Sequence, residues 1–548
     1  MIILVVMKQT TKSPSVDVAI QRQMDWVNYG TIILTKYVVV KQSVATSVYL
    51  TSMAPPGDLK TAAQKPQLLH FASEPRRLFV GGVWMDTAHE LPVHRPGARD
   101  EGPFATTYLA GPEEYERAVE AALAAEAPLA GLPAYERGAA LRAVAAGILD
   151  RLEELSVQLA AEAGKPIRDA RVEIERGALC FRLAAEEAER MNGELLPLDI
   201  NAASRGRVAI VRRFPIGAIA AISPFNLPLG LAAHKVAPAL AVGCPVILKP
   251  PSNTPLTMLG IAELVDHTNL PPGSLSVLPM SRAVGNRMVE DERLKLLSFT
   301  GSPDVGWHLK ERAGKKKVLL ELGSNSAAIV DESADLDWAV ARCAYGAFKY
   351  AGQLCVSVQR ILVHDSVYEA FVEQFIERSR NLRVGDALDE ETEVGPVIDA
   401  KAAQRIQTWI DEALEAGARP LLRGEVDGDY LGPTILEDVP HSTALWREEA
   451  FGPVATVSRF SSFQEALNDV NDSRFGLQAG IFTNHLDHAW RAFGELKVGG
   501  VVVNDAPTYR VDNMPFGGVK DSGLGREGLR WAIEEMTEPR ALILAGRP

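Results

Sequence analysis

Apolar positions along this chain follow two periods. Across residues 113–127, 135–163 and 167–191 they recur every three to four positions with charges between them, the spacing of helices that bury one face. Gly164-Lys165-Pro166 ends the second of these stretches. Beyond residue 216 the pattern changes to short, almost wholly apolar runs at 216–222, 246–249, 275–278, 296–299 and 318–322, which read as buried strands. Helical stretches at 232–241, 255–266, 283–290 and 303–313 fall between them. Strands alternating with helices predict a parallel sheet covered on both faces, with ligands bound beyond the carboxyl ends of its strands. A second α/β set follows, with strands expected at 327–330, 359–363, 454–460 and 499–504 and helices at 366–380 and 401–416. Ahead of both sets, Leu78-Phe79-Val80-Gly81-Gly82-Val83-Trp84 reads as a hairpin turned by glycine. Residues 207–211 alternate in strand fashion, and 541–544 form an apolar strand with no evident partner nearby in sequence. An exposed edge of that kind normally finds another chain.

At 548 residues the chain is long enough for two or three domains. Its net charge of −13 argues against a nucleic-acid surface, which needs a basic face. No run approaches the ~18 uncharged apolar residues of a membrane span. The four cysteines lack the paired spacing of zinc or redox motifs, and the ten histidines lack metal-ligand spacing. Free thiols in a reducing cytoplasm, and no metal, are therefore expected. Residues 1–73 contain no glutamate, unlike the Glu-, Ala- and Arg-rich remainder. The apolar start has neither a basic leader nor an evident cleavage site, which argues against a signal peptide. Residues 1–75 read as a poorly ordered extension, or as a start assigned too far upstream with Met53 a candidate; 30–40 could form a strand.

The candidate chemistry centres on Phe348-Lys349-Tyr350-Ala351-Gly352-Gln353-Leu354-Cys355, where a cysteine follows a glycine-marked turn. Glu321 ends the apolar strand Val318-Leu319-Leu320, so partial desolvation raises its pKa toward the useful range for a base. Asn226, between Pro224 and Pro228, follows another strand in a stiffened loop. A thiol, a base and a neutral hydrogen-bond donor are the parts needed to oxidise an aldehyde through a covalent thioester. Each taken singly has an ordinary reading: a small buried hydrophobe, a strand-end glutamate in water, a turn asparagine. Cys180, Cys244 and Cys343 keep that reading. Phe299-Thr300-Gly301-Ser302-Pro303-Asp304-Val305-Gly306 joins a strand to a helix start, where Gly301 allows close approach and the helix end favours a phosphate. Lys249 ends another strand and, with Ser252, could serve a ribose.

These stretches, with Glu448-Glu449-Ala450-Phe451-Gly452-Pro453 and Pro515-Phe516-Gly517-Gly518, resemble the aldehyde dehydrogenase superfamily over roughly residues 76–545. The wording of 321–326 and 352–360 is most similar to lactaldehyde- and phosphonoacetaldehyde-type members. The resemblance implies an α/β fold with a Rossmann-type cofactor domain (76–196 and 217–323), a catalytic domain (324–530) and a small β oligomerisation element (197–216 and 531–548). It implies NAD(P), a small-molecule aldehyde and a homodimer or homotetramer. By the same resemblance Cys355 is the nucleophile, Glu321 the general base, and Asn226 with the Cys355 backbone N–H the oxyanion hole. Lys249 would hold the adenosine ribose, Ser302 the diphosphate, Glu449 the nicotinamide ribose and Phe451 the nicotinamide.

Two departures from the family pattern matter. Ser252 stands where many NAD-preferring relatives carry a ribose-gripping glutamate, which tilts the expectation to NADP, with Lys249 pairing the 2′-phosphate. Ser324 replaces a glycine common after Glu321-Leu322-Gly323. Lys349 and His234 occupy positions where succinic-semialdehyde members carry carboxylate-binding arginines, which would suit a small polar or anionic aldehyde; the alternative reading leaves Lys349 solvated and His234 packed. Tyr509 and Arg510 could line the entrance. Two rival readings are a CoA-acylating relative, which would not need Glu321, and a cofactor-binding protein without catalysis.

Overall fold

The computed structural model describes residues 74–545. The expectations for 1–73, including the strand at 30–40, lie outside the described residues. Leu78–Val80 and Val83–Met85 pair antiparallel through Gly81 (φ +60) and Gly82 (φ +93), a left-handed pair of turn positions that glycine fills without cost. This hairpin edges an eight-stranded sheet whose centre is parallel: Leu275–Val277, Val246–Lys249, Ile219–Ile222, Leu296–Thr300 and Lys317–Glu321, in that order. Chain order reverses between Ile219–Ile222 and Leu296–Thr300, so the loops after these strands diverge and leave a crevice at their carboxyl ends. Gly230–Val242 packs on this sheet and is buried on every side from Leu231 to Val242, which explains why its sequence is apolar except at His234 and Lys235.

Among the described residues a seven-stranded sheet forms the second α/β set, in the order Arg419–Leu422, Thr434–Glu437, Val454–Phe460, Arg360–His364, Ala327–Val330, Gln478–Phe482 and Gly500–Val503. Only the Arg419–Leu422 pairing is antiparallel. A three-stranded antiparallel sheet joins Glu194–Pro197, Arg207–Pro215 and Thr537–Ala545. Leu544 faces Val208 and Ala541 faces Val211, which supplies the C-terminal strand with its distant partner.

The structure departs from the sequence pattern at definite places. The helix expected at 135–163 is two, Ala134–Asp150 and Leu152–Ala163, broken at Arg151 (φ −107, ψ 22). Glu153 and Glu154 in the first turn favour the fresh helix start, and the Arg151 side chain turns to Glu154 and Glu263. Gly523–Leu524 pairs with Lys317–Glu321 in the first sheet, and helix Leu529–Glu535 buries Leu529, Ala532 and Ile533 in that sheet's core. The chain therefore returns to the first unit by residue 523, inside the span 324–530 expected for the second. Strands Thr434–Glu437 and Gln478–Phe482, helix Leu336–Phe348 and the hairpin of Glu90–His94 with Pro103–Tyr108 escaped the pattern. Gln478-Ala479-Gly480 has little strand propensity of its own; parallel neighbours on both sides hold it extended.

Candidate active site

The backbone before Cys355 is wound tightly. Helix Leu336–Phe348 ends, and Tyr350 (φ 50), Ala351 (φ 52) and Gly352 (φ 68) follow in the left-handed region. For the two residues with a Cβ this costs about 1–2 kcal/mol each. Tyr350 is held there by full burial and by its hydroxyl, which donates to the Ala163 carbonyl at 2.8 Å. Gly352 is required on space as well as on φ, since a Cβ would lie 2.1 Å from the Gly452 oxygen. The turn delivers Cys355, partly exposed, to a cavity of about 320 Å³, while Cys180, Cys244 and Cys343 are buried.

That cavity is lined by Asn226, Glu321, Cys355, Glu449 and Phe451 among others. The Cys355 thiol donates to Glu321 Oε1 at 3.6 Å, and Asn226 Nδ2 donates to the Gln353 carbonyl, two residues before the thiol, at 3.0 Å. Burial pushes the Glu321 carboxyl up to about 8, helped by the negative Glu527 beside it. Burial likewise holds the Cys355 thiol well above its ordinary value, with Glu321 and Glu449 adding to the effect. Behind Glu321 lies a buried polar chain. Lys235 Nζ donates to Ser298 Oγ (3.1 Å), Thr300 Oγ1 (2.7 Å) and Glu527 Oε1 (3.0 Å). Thr300 Oγ1 in turn donates to Glu321 Oε2 at 3.4 Å. Arg510 sits 3.6 Å from Glu321 and donates to Glu527 Oε2 at 3.1 Å, its guanidinium stacked over the Phe516 ring.

A second cavity, about 420 Å³, adjoins the first along the same strand ends: Ile222 and Phe299 line one, Pro224 and Thr300 the other. Lys249, Ser252, Arg282, His308 and Asn286 line the second. Burial, with Arg282 nearby, pulls the Lys249 ammonium below its ordinary value. Helix Pro303–Arg312 begins between the cavities, and Ser302 at its N-cap makes no side-chain bond to its own helix. Gly301 lies so close to Phe299 that a Cβ would meet the ring at 2.5 Å. A basic, concave end, a free hydroxyl at a helix N-terminus and an apolar end form a donor set that fits a pyridine dinucleotide. At the far side Glu449 accepts from the Ser324 backbone N–H at 2.9 Å, and burial lifts its carboxyl to about 8. Gly323 leaves room for Glu449, since a Cβ there would lie 2.3 Å from the carboxylate. Phe451 is held at φ 48 with its ring edge-on to Phe225.

The aldehyde dehydrogenase family model matches residues 84–542. The chain belongs to that family. It is 44% identical over 468 residues to the 3-sulfolactaldehyde dehydrogenase of Priestia aryabhattai, covering 85% of this chain and 97% of the relative. It is similar to aldehyde dehydrogenase 21 of Physcomitrella patens in complex with the reaction product succinate (42% identity, TM-score 0.84, 86% of this chain and 98% of that one). It is also similar to the glyceraldehyde-3-phosphate dehydrogenase GapN of Methanocaldococcus jannaschii complexed with NADP (38% identity, TM-score 0.80, 84% and 100%). The enzyme is an NAD(P)-dependent aldehyde dehydrogenase.

The dehydrogenase gathers Cys355, Glu321, Asn226, Gly301, Ser302, Glu449 and Phe451 around one cavity, and Lys249 and Ser252 around its neighbour. Two of the expected substrate residues are engaged elsewhere. Lys349 pairs with Asp169 at 3.0 Å and with the Tyr345 hydroxyl; these partners hold its ammonium up although burial opposes it. None of Lys349, His234 and Arg510 is among the residues that line the catalytic cavity. Burial, with Arg510 nearby, lowers the His234 pKa, and its Nε2 lies 3.1 Å from Asp512. Arg510, only 9% exposed at its side chain, is the third expected substrate residue, and its Nε has no partner among the described protein groups. The sequence reading missed Lys235, Thr300 as a hydroxyl, and Glu527. A lysine inside a largely apolar helix was the available signal for Lys235.

Proposed function

We propose that Cys355 attacks the aldehyde, that Glu321 is the base for both half-reactions, and that the substrate is a small aldehyde carrying an anionic group. The observation that carries the reading is the 3.6 Å approach of the Cys355 thiol to Glu321 at the wall of a cavity that Asn226 also lines. As sulfur bonds to the carbonyl carbon, the thiol proton passes toward the Glu321 carboxylate and the carbonyl oxygen becomes an oxyanion. The Asn226 amide and the Cys355 backbone N–H stabilise it. Lys249, Ser252, Ser302 and Glu449 would hold NAD(P), which when bound would supply the two-electron oxidant for passing from thiohemiacetal to thioester. Once Glu321 has released the first proton to solvent, it takes a proton from water, the hydroxyl adds to the thioester carbon, and the carbon–sulfur bond breaks to give the acid and the Cys355 thiolate, which the Glu321 proton returns to the thiol. A buried base beside the sulfur supports hydrolysis over acyl transfer to CoA.

The anionic substrate rests on charge. Behind the cavity the Lys235 ammonium and the Arg510 guanidinium bracket Glu527, while the Glu321 carboxyl, lifted to about 8, carries little charge at neutral pH; Arg510 also feels the Asp512 carboxylate, which is paired with Arg176. The relatives whose names carry sulfolactaldehyde and succinate accord with such a site. Turnover of succinic semialdehyde and of butanal, equal in chain length, is the test: kcat/KM should favour the anion at least tenfold, and Arg510→Met should erase the preference. A preference for butanal would end this reading. NADP is the proposed cofactor, because Ser252 offers no negative charge against a 2′-phosphate and Lys249, Arg282 and His308 share its cavity. A homo-oligomer is supported by the edge strand Thr537–Ala545, where Leu542 and Ile543 are each 59% exposed. A reducing cytoplasm accords with a nucleophile that must remain a free thiol.

A further inference from the structure

A second charged pair is sealed from water beside the catalytic cavity without lining it. Lys165 and Glu173 are 3% and 2% exposed at their side chains and form an ion pair. Lys165 stands in the short break before helix Ile167–Arg190, and Glu173 lies two turns into that helix. The ammonium has three protons to place. One goes to Glu173, one to the backbone carbonyl of Asn226 at 2.6 Å, and the charge also lies 4.5 Å from the centre of the Tyr350 ring. Glu173 Oε1 accepts from the backbone N–H of Leu229 (3.0 Å) and of Gly230 (3.1 Å), at the start of helix Gly230–Val242. The pair thus touches the middle and the helix end of the loop that carries Asn226, and the left-handed turn that carries Cys355.

Two buried charges are expensive to desolvate, and apolar side chains of equal volume would join these elements as firmly. What the charges add is direction. A carbonyl held at 2.6 Å fixes the Asn226 peptide plane, and the amide Nδ2 of the same residue donates to the Gln353 carbonyl, two residues before the thiol, at the wall of the catalytic cavity. An error of about 1 Å in such placement costs about a hundredfold in rate. Resting on the oxyanion role of Asn226 given above, we propose that Lys165 and Glu173 are positioning residues that set the oxyanion hole, touching neither substrate nor cofactor.

A double-mutant cycle tests this on the full-length enzyme: Lys165→Met, Asn226→Ala and both together, with kcat for succinic semialdehyde and Kd for NADP measured for each. Lys165→Met should lower kcat at least thirtyfold with NADP affinity within about threefold of wild type. In the Asn226→Ala background it should lower kcat no more than about threefold further, because the group it aims has gone. A loss that multiplies in full onto Asn226→Ala, or a wild-type kcat for Lys165→Met, would overturn the positioning role alone. A wild-type kcat for Asn226→Ala would instead overturn the oxyanion reading beneath it. Should Lys165→Met fail to fold, Glu173→Gln takes its place. It keeps an acceptor for Leu229 and Gly230 while removing the charge, and the same dependence on the Asn226 background decides.

Discussion

Glu321→Gln changes one atom of the side chain and removes the only ionisable hydrogen of the proposed base. With the carboxyl lifted to about 8, roughly one molecule in ten carries Glu321 ionised at pH 7 and about nine in ten at pH 9. A step that needs the carboxylate therefore speeds up about tenfold across that interval, half of the rise being reached near pH 8. The direction follows from burial: desolvation disfavours the anion, so the base is made by raising pH. In the glutamine variant this limb should vanish. Single-turnover experiments that follow reduced cofactor and acid release separately should show a burst close to one per active site, then acid release slower by about a hundredfold or more. The thiol should also become less reactive, because the carboxylate that accepts its proton, 3.6 Å away, is gone. Alkylation by iodoacetamide at pH 8 should slow. A wild-type enzyme whose acid release is flat between pH 7 and 9, or a glutamine variant that keeps the limb, would refute the assignment of the base.

Cys355→Ala should abolish turnover and burst together while NADP still quenches tryptophan fluorescence with an unchanged Kd. Ser252→Glu places a carboxylate in the cavity shared with Lys249 and Arg282, and should raise the KM for NADP at least tenfold while leaving that for NAD level or lower. Gly352→Ala forces a Cβ to within 2.1 Å of the Gly452 oxygen at φ 68, and should destabilise the enzyme by about 2 kcal/mol or more in urea titrations, with a larger proportional loss of kcat.

The two α/β sets, the glycine hairpin, and the placing of Asn226, Thr300 and Glu321 at strand ends were readable because parallel strands buried on both faces must be short and apolar. Cys355 stood out because the glycine before it marks a turn, and Gly352 does sit at φ 68. What neither period nor motif could reach were decisions made by distant packing. The lysine at 235 looks like an error in an apolar helix until Glu527, from the other end of the chain, meets it at 3.0 Å. Lys349 looked like a free cation until Asp169 appeared beside it at 3.0 Å, and His234 looked basic, although burial lowers its pKa and Asp512 engages its ring. Helix and strand periods report which face a residue shares with its neighbours along the chain. Which charge stands opposite is settled only when separate elements close around a site, because the energy of a buried charge depends on groups a few ångströms away, however many residues lie between.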